Sequence, residues 1–246
     1  MSYIKNIKSL KIRDDYMSNS FRPIYSKEIY RRKTGDSSIN LRKVINSQFE
    51  LYAEIGHTKR SKAVRLTEKL LIEIRETLPS SFIFPKIIVI NFDYFEIDAI
   101  GGYNRRLDTI FINEKYNTRE KISSYITHRE GYYANTTVYA PLRHELGHKY
   151  YYDLIEKYAK RKCISYNEAE QRVNDQISNY VHKYNDDGYF LEKQLSIYAQ
   201  EGYSQGKYGE IVAESFSSID TNTIAQEIIA LLEGLNIWSW NWQTKN

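Results

Sequence analysis

Residues 141–158 read Pro141-Leu142-Arg143-His144-Glu145-Leu146-Gly147-His148-Lys149-Tyr150-Tyr151-Tyr152-Asp153-Leu154-Ile155-Glu156-Lys157-Tyr158. Proline is favoured in the first turn of a helix. Leu142, Leu146, Tyr150, Leu154 and Tyr158 recur once per helical turn, so the spacing predicts a helix from Pro141 to about Lys162 with one packed face. At about 100° per residue, His144 and His148 stand about 40° apart and one turn along that helix. Both imidazoles can therefore reach a single metal ion, with Glu145 beside it.

H-E-x-x-H on a helix is a zinc signature. Zinc at a catalytic site takes three protein ligands and leaves a fourth position for water, whose pKa it lowers towards neutrality. A carboxylate then takes the proton as the water attacks a carbonyl, which assigns Glu145 as general base. The plain alternative is a surface helix carrying two ordinary histidines. Gly147 bears on that choice, because a mid-helix glycine costs on the order of 0.5 to 1 kcal/mol relative to alanine. Close approach of another backbone beneath the metal would justify it, and so would simple tight packing.

The rest of the chain limits where further ligands can come from. Cys163 is the single cysteine among 246 residues, so intramolecular disulfides and a cysteine-rich zinc site are excluded and any metal must use His, Asp or Glu. A hydrophobic content of 41% and a charged content of 27% suit a globular chain with one sizeable core. No apolar run is long enough to span a bilayer, and the N-terminus lacks an apolar segment followed by a cleavage site. These features predict cytoplasmic residence without membrane insertion; export by another route, or association with a virion, stays compatible with them. The formal net charge is +4, and its excess lies in the first third, at Lys5, Lys8, Lys11, Arg13, Arg31, Arg32, Lys33, Arg42 and Lys43. That segment is a candidate for touching nucleic acid, although a solvated basic stretch is the simpler account.

Residues 1–45 are polar and weakly periodic and are expected to form a basic arm or accessory segment, leaving 46–246 as the main domain. Apolar positions from Ser47 to Thr77 fit helical spacing, with a break near Gly56. Ile83 to Phe92 is a β-branched and aromatic run, Ala99 to Tyr103 is a second short strand and Thr109 to Asn113 a third. Helices are expected at Thr118–Ile126, Asn167–Tyr184, Glu192–Ala199, Gly209–Ser218 and Thr221–Leu235. A small antiparallel or mixed sheet over about 83–113, followed by a helical half, is the α+β order.

The carboxylates of Gly209-Glu210-Ile211-Val212-Ala213-Glu214-Ser215-Phe216 are the best source of a third ligand. Ile211, Val212, Phe216 and Ile219 share one helical face, and Glu210 and Glu214 stack on another. Two like charges so placed repel unless a cation and a histidine N–H lie nearby. One glutamate would then ligate the metal while the other orients a ligand imidazole. A solvent-facing acidic stripe is the alternative.

The pair HELGH at 144–148 and EIVAESF at 210–216 resembles the gluzincin metallopeptidases, and among them the anthrax lethal factor-like group that includes the Pro-Pro endopeptidases. The resemblance implies a zincin-like fold, one Zn2+ per chain held by His144, His148 and Glu210, Glu214 as the supporting carboxylate, and hydrolysis of peptide bonds in a protein or peptide substrate. It also implies an oxyanion-stabilising tyrosine shortly before the ligand glutamate, which Tyr203 matches, with Tyr198 and Tyr208 as neighbouring alternatives. The same motif pair resembles proteins of phages and integrated elements. In zincins an edge strand above the metal-binding helix takes substrate backbone in extended form. Gly101, Gly102 and Tyr103 are candidates for that edge, or for a bulged strand end with no ligand. The competing functional class is a catalytically silent metal-binding module that engages nucleic acid or a partner through its basic N-terminal segment. Core or interface packing is the expected use of Tyr150, Tyr151 and Tyr152, and of Trp238, Trp240 and Trp242.

Overall fold

The computed structural model describes residues 21–34, 37–55, 58–184 and 189–235. His57 and the three tryptophans lie outside these, as do Lys5, Lys8, Lys11 and Arg13. The fold is α+β, built on one six-stranded mixed sheet.

The strands are β1 (Tyr30–Thr34), β2 (Ser37–Lys43), β3 (Leu51–Glu54), β4 (Lys86–Ile90), β5 (Gly101–Asn104) and β6 (Thr109–Asn113), in the order β1-β2-β3-β4-β6-β5. β3, β4 and β6 run parallel, while β1, β2 and β5 pair antiparallel to their neighbours. The centre is parallel because helix α1 (Thr58–Arg75) crosses over between β3 and β4, as parallel neighbours require. The burial of every residue in Thr109–Asn113 marks a strand covered on both faces. Short turns return the chain from β5 to β6, which leaves β5 as an antiparallel edge strand.

The helical half follows: α2 (Arg119–Thr127), α3 (Ala140–Lys162), α4 (Tyr166–His182), α5 (Tyr189–Gln194), α6 (Ile197–Ser204), α7 (Tyr208–Ser218) and α8 (Thr223–Leu235). Ser165 caps α4 by accepting the Glu168 amide at 3.2 Å. Cys163 ends α3 in the left-handed region at φ 53°. The main core lies between one sheet face and α1, α3, α7 and α8, with Leu51, Ile87, Leu146 and Val212 each fully buried.

Four expectations need correction. Residues 51–54 form a strand and not the start of a helix: Leu51 and Ala53 face in while Tyr52 and Glu54 are only partly buried, and four residues are too few to separate a period of 2 from one of 3.6. The strand expected over 83–92 is confined to Lys86–Ile90, because Pro85 has no amide to give a ladder. The helix expected over 192–199 is two, divided at Ser196, whose hydroxyl accepts the Ala199 amide at 3.0 Å and starts α6. The sheet is also not confined to 83–113. The hairpin β1–β2, which falls in the segment expected to be an arm or accessory unit, joins it with Ile39 and Leu41 buried. In a flat sheet β1 and β6 would be four strand spacings of about 4.8 Å apart. Instead the Arg32 guanidinium lies 4.7 Å over the Phe111 ring, so the hairpin curls across the second sheet face and buries Ile88 and Ile90.

Candidate metal centre

α3 and α7 cross in close contact, and the crossing brings the two sequence motifs together. A Cβ on Gly147 would stand 2.6 Å from Ala213 Cα and 2.9 Å from Phe216 Cβ. Real Cβ atoms do not approach backbone so closely, so only glycine lets α7 lie this deep against α3. The mid-helix glycine is thereby explained by a backbone contact.

At the crossing three donors converge. His144 Nε2 and His148 Nε2 are 3.1 Å apart, and Glu210 Oε2 lies 3.3 Å from each. Among the described residues these form the one group of three such donors able to hold a metal ion, all within 4.8 Å of one another. Glu210 Oε2 is buried with no aligned hydrogen-bond donor. Two imidazole nitrogens and a carboxylate oxygen facing one point satisfy one another poorly and suit a cation well. Burial pushes the Glu210 carboxyl up, but the two imidazoles outweigh it and hold the group well below the usual carboxylate range.

Glu214 completes the arrangement from behind. Its Oε1 accepts a hydrogen bond from His144 Nδ1 at 2.7 Å and its Oε2 accepts one from the Ala134 amide at 2.6 Å. A carboxylate only accepts, so Nδ1 carries a proton, and it is Nε2 that ligates once the ring is neutral. Glu145 is 9% exposed and lines a pocket of about 110 Å³ with His144, Tyr198 and the end of β5. A Cβ at Gly101 would stand 3.4 Å from Glu145 Cγ, so the edge strand passes directly beside the expected base.

The other predicted residues are distributed as follows. Gly102 is open to solvent on its Cβ side. The Tyr103 hydroxyl donates to Asp108 Oδ1 at 2.8 Å and so is engaged within the protein. The Tyr203 hydroxyl pairs with His182 Nε2 at 2.8 Å, away from the pocket lining. Tyr198 does line it: its ring lies parallel to His144 with centroids 5.4 Å apart, backed by Tyr132 at 5.1 Å. Burial and the Glu210 and Glu145 carboxylates push the Tyr198 phenol up, which keeps it a proton donor. The other two described histidines are engaged locally, His128 with the Ser124 carbonyl of its own helix and His182 with Tyr203.

Gly202 was missed. A Cβ there would stand 2.7 Å from Glu210 Cβ, so the absence of a side chain in α6 makes room for the third donor. The signal was the same as for Gly147, a glycine inside a helix.

The chain was compared with family models, curated proteins and solved structures, and none matches. Among the described residues no helix is long and apolar enough to cross a membrane.

Proposed function

We propose that this chain is a zinc-dependent endopeptidase with a zincin-like fold, of the gluzincin kind. The convergence of His144, His148 and Glu210, with Glu145 beside an open sheet edge, carries the reading. The donor chemistry, two imidazoles and one carboxylate with a carboxylate behind one imidazole, suits zinc with a position left open. When bound there, zinc supplies Lewis acidity towards a substrate carbonyl and lowers the pKa of the attacking water.

The protein's own groups do the rest. Glu145 takes the proton of the attacking water and passes it to the leaving amine. Glu214 holds His144 in one tautomer and one orientation. The edge of β5 left unpaired among the described residues binds an extended peptide backbone by main-chain hydrogen bonds, and Gly101 keeps a side chain from standing between strand and base. Two tyrosines are candidates for donating to the developing oxyanion: Tyr203 by its spacing from Glu210, and Tyr198 by its place in the pocket wall.

Metal analysis of the purified chain, beside hydrolysis of a peptide library, tests the reading. About one zinc per chain is expected. Glu145→Gln should keep the zinc and lose activity by roughly 10²- to 10⁴-fold. Undiminished hydrolysis by clean Glu145→Gln protein would sink it, and Tyr198→Phe beside Tyr203→Phe separates the two oxyanion donors.

A further inference from the structure

Lys149 follows His148 directly and is 6% exposed. A lysine can usually extend its stem to bring the ammonium into water, but this one is turned inward. Its Nζ donates to both carboxylate oxygens of Asp153, at 2.7 and 2.8 Å, one turn along α3. It also stands 3.4 Å from Asp108 Oδ1, which comes from a different part of the fold.

Asp108 closes the 3-10 turn between β5 and β6 with φ 43°. The same Asp108 oxygen accepts the Tyr103 hydroxyl, and the Tyr103 ring stacks on Tyr152 of α3 with centroids 6.1 Å apart. A closed circuit therefore runs from α3 through Lys149 to Asp108 and Tyr103, and returns to α3 through Tyr152. An i,i+4 pair such as Lys149–Asp153 stabilises a helix only weakly when it stands alone on its surface. Its burial beneath a turn that brings a second carboxylate is what ties two elements together.

The element so tied is an edge strand of the sheet. Among the described residues β5 is bonded to the sheet through β6 alone, and a strand held along one edge opens more easily than one held along two. Its separation from α3 decides where the open edge stands relative to Glu145. We infer that Lys149 is a positioning residue, a buried cation that holds the Asn104 end of β5 over α3 through Asp108 and so sets the width of the cleft beside Glu145. The kinetic consequence of this clamp rests on the peptidase reading; the clamp itself does not.

Lys149→Met keeps the aliphatic stem and removes the charge, while Lys149→Arg restores a cation. Amide hydrogen exchange of the full chain with zinc is expected to become at least tenfold faster across β5 in the Met variant. Protection of residues 144–148 and zinc content should be unchanged, and the Arg variant should recover most of the lost protection. If the peptidase reading holds, KM for peptide rises several-fold in the Met variant with little change in kcat. Unchanged exchange in β5, or an equal loss across α3, would overturn the inference. Should Lys149→Met fail to fold, Asp108→Gly tolerates the positive φ, leaves the Asp153 pair intact and removes the oxygen that Lys149 and Tyr103 share; it must loosen β5 in the same way, and failure to do so is equally fatal. A wild-type chain without hydrolysis would count against the peptidase reading, and β5 exchange would still decide the clamp.

Discussion

Glu214 Oε1 accepts the His144 Nδ1 proton at 2.7 Å while the other oxygen of the same carboxylate holds the Ala134 amide at 2.6 Å. One buried side chain of α7 thus orients an imidazole of α3 and secures the loop that leads into that helix. The candidate metal site and the path of the chain around it are coupled through a single carboxylate, which is 1% exposed.

Replacing that carboxylate should weaken the metal without abolishing the fold. In Glu214→Gln the new amide oxygen can still accept from His144, but the amide NH2 then confronts the Ala134 N–H, donor against donor. A loss of roughly 10- to 100-fold in zinc affinity is expected, measured by competition with a chromophoric chelator. Unchanged affinity would show that neither the charge of the Glu214 carboxylate nor its hold on Ala134 matters to the His144 ligand.

Gly147→Ala inserts a methyl 2.6 Å from Ala213 Cα. Helix propensity favours alanine by ~1 kcal/mol, but forcing α3 and α7 apart costs more, leaving a net loss of about 1–2 kcal/mol. Thermal scans should show a melting temperature lower by about 2–8 °C. A more stable variant would mean that the helices separate freely at this crossing.

Gly202→Ala directs its methyl at the Glu210 side chain, 2.7 Å from Cβ. The expected effect is on the site more than on the fold: the third donor moves away from the two imidazoles and zinc affinity falls by roughly tenfold or more. Chelator competition and a thermal scan on the same sample distinguish the two effects.

The pH dependence follows from His144. Burial alone would push its imidazole down; Glu210 and Glu214 outweigh burial and hold it up to about 10, from an ordinary 6.5. A pKa raised by folding contributes stability that is fully present below the unfolded value and is lost as pH rises through the folded one. Chelator-treated protein should therefore lose this contribution from about pH 6.5 upwards. Zinc requires the neutral ring and displaces its proton, so the rise in melting temperature on adding zinc should grow between about pH 6.5 and 9. A zinc-induced rise that shrinks over that interval contradicts this coupling.

Much of the site was legible before the fold. His144 and His148 are one turn apart on a helix whose packed face repeats every turn, and Glu210 and Glu214 obey the same spacing, so local periodicity alone placed each pair on one side of its own helix. Gly147 signalled a close contact but not its partner. The sheet was less legible: Leu51–Glu54 is too short to show its period, and the basic hairpin Tyr30–Lys43 shows its apolar residues only once Ile39 and Leu41 are seen to alternate inward.

What the sequence determined by itself is therefore local: two helices, the donors each presents, and the residue types able to hold a cation and move a proton. What only the tertiary structure decided is which donors meet. Glu210 reaches His144 and His148 because Gly147 and Gly202 let α7 approach α3 and α6, and Gly101 comes beside Glu145 because β5 is the sheet's last strand. Those are contacts between residues far apart in the chain, set by how the helices and sheet pack, and no local periodicity encodes them.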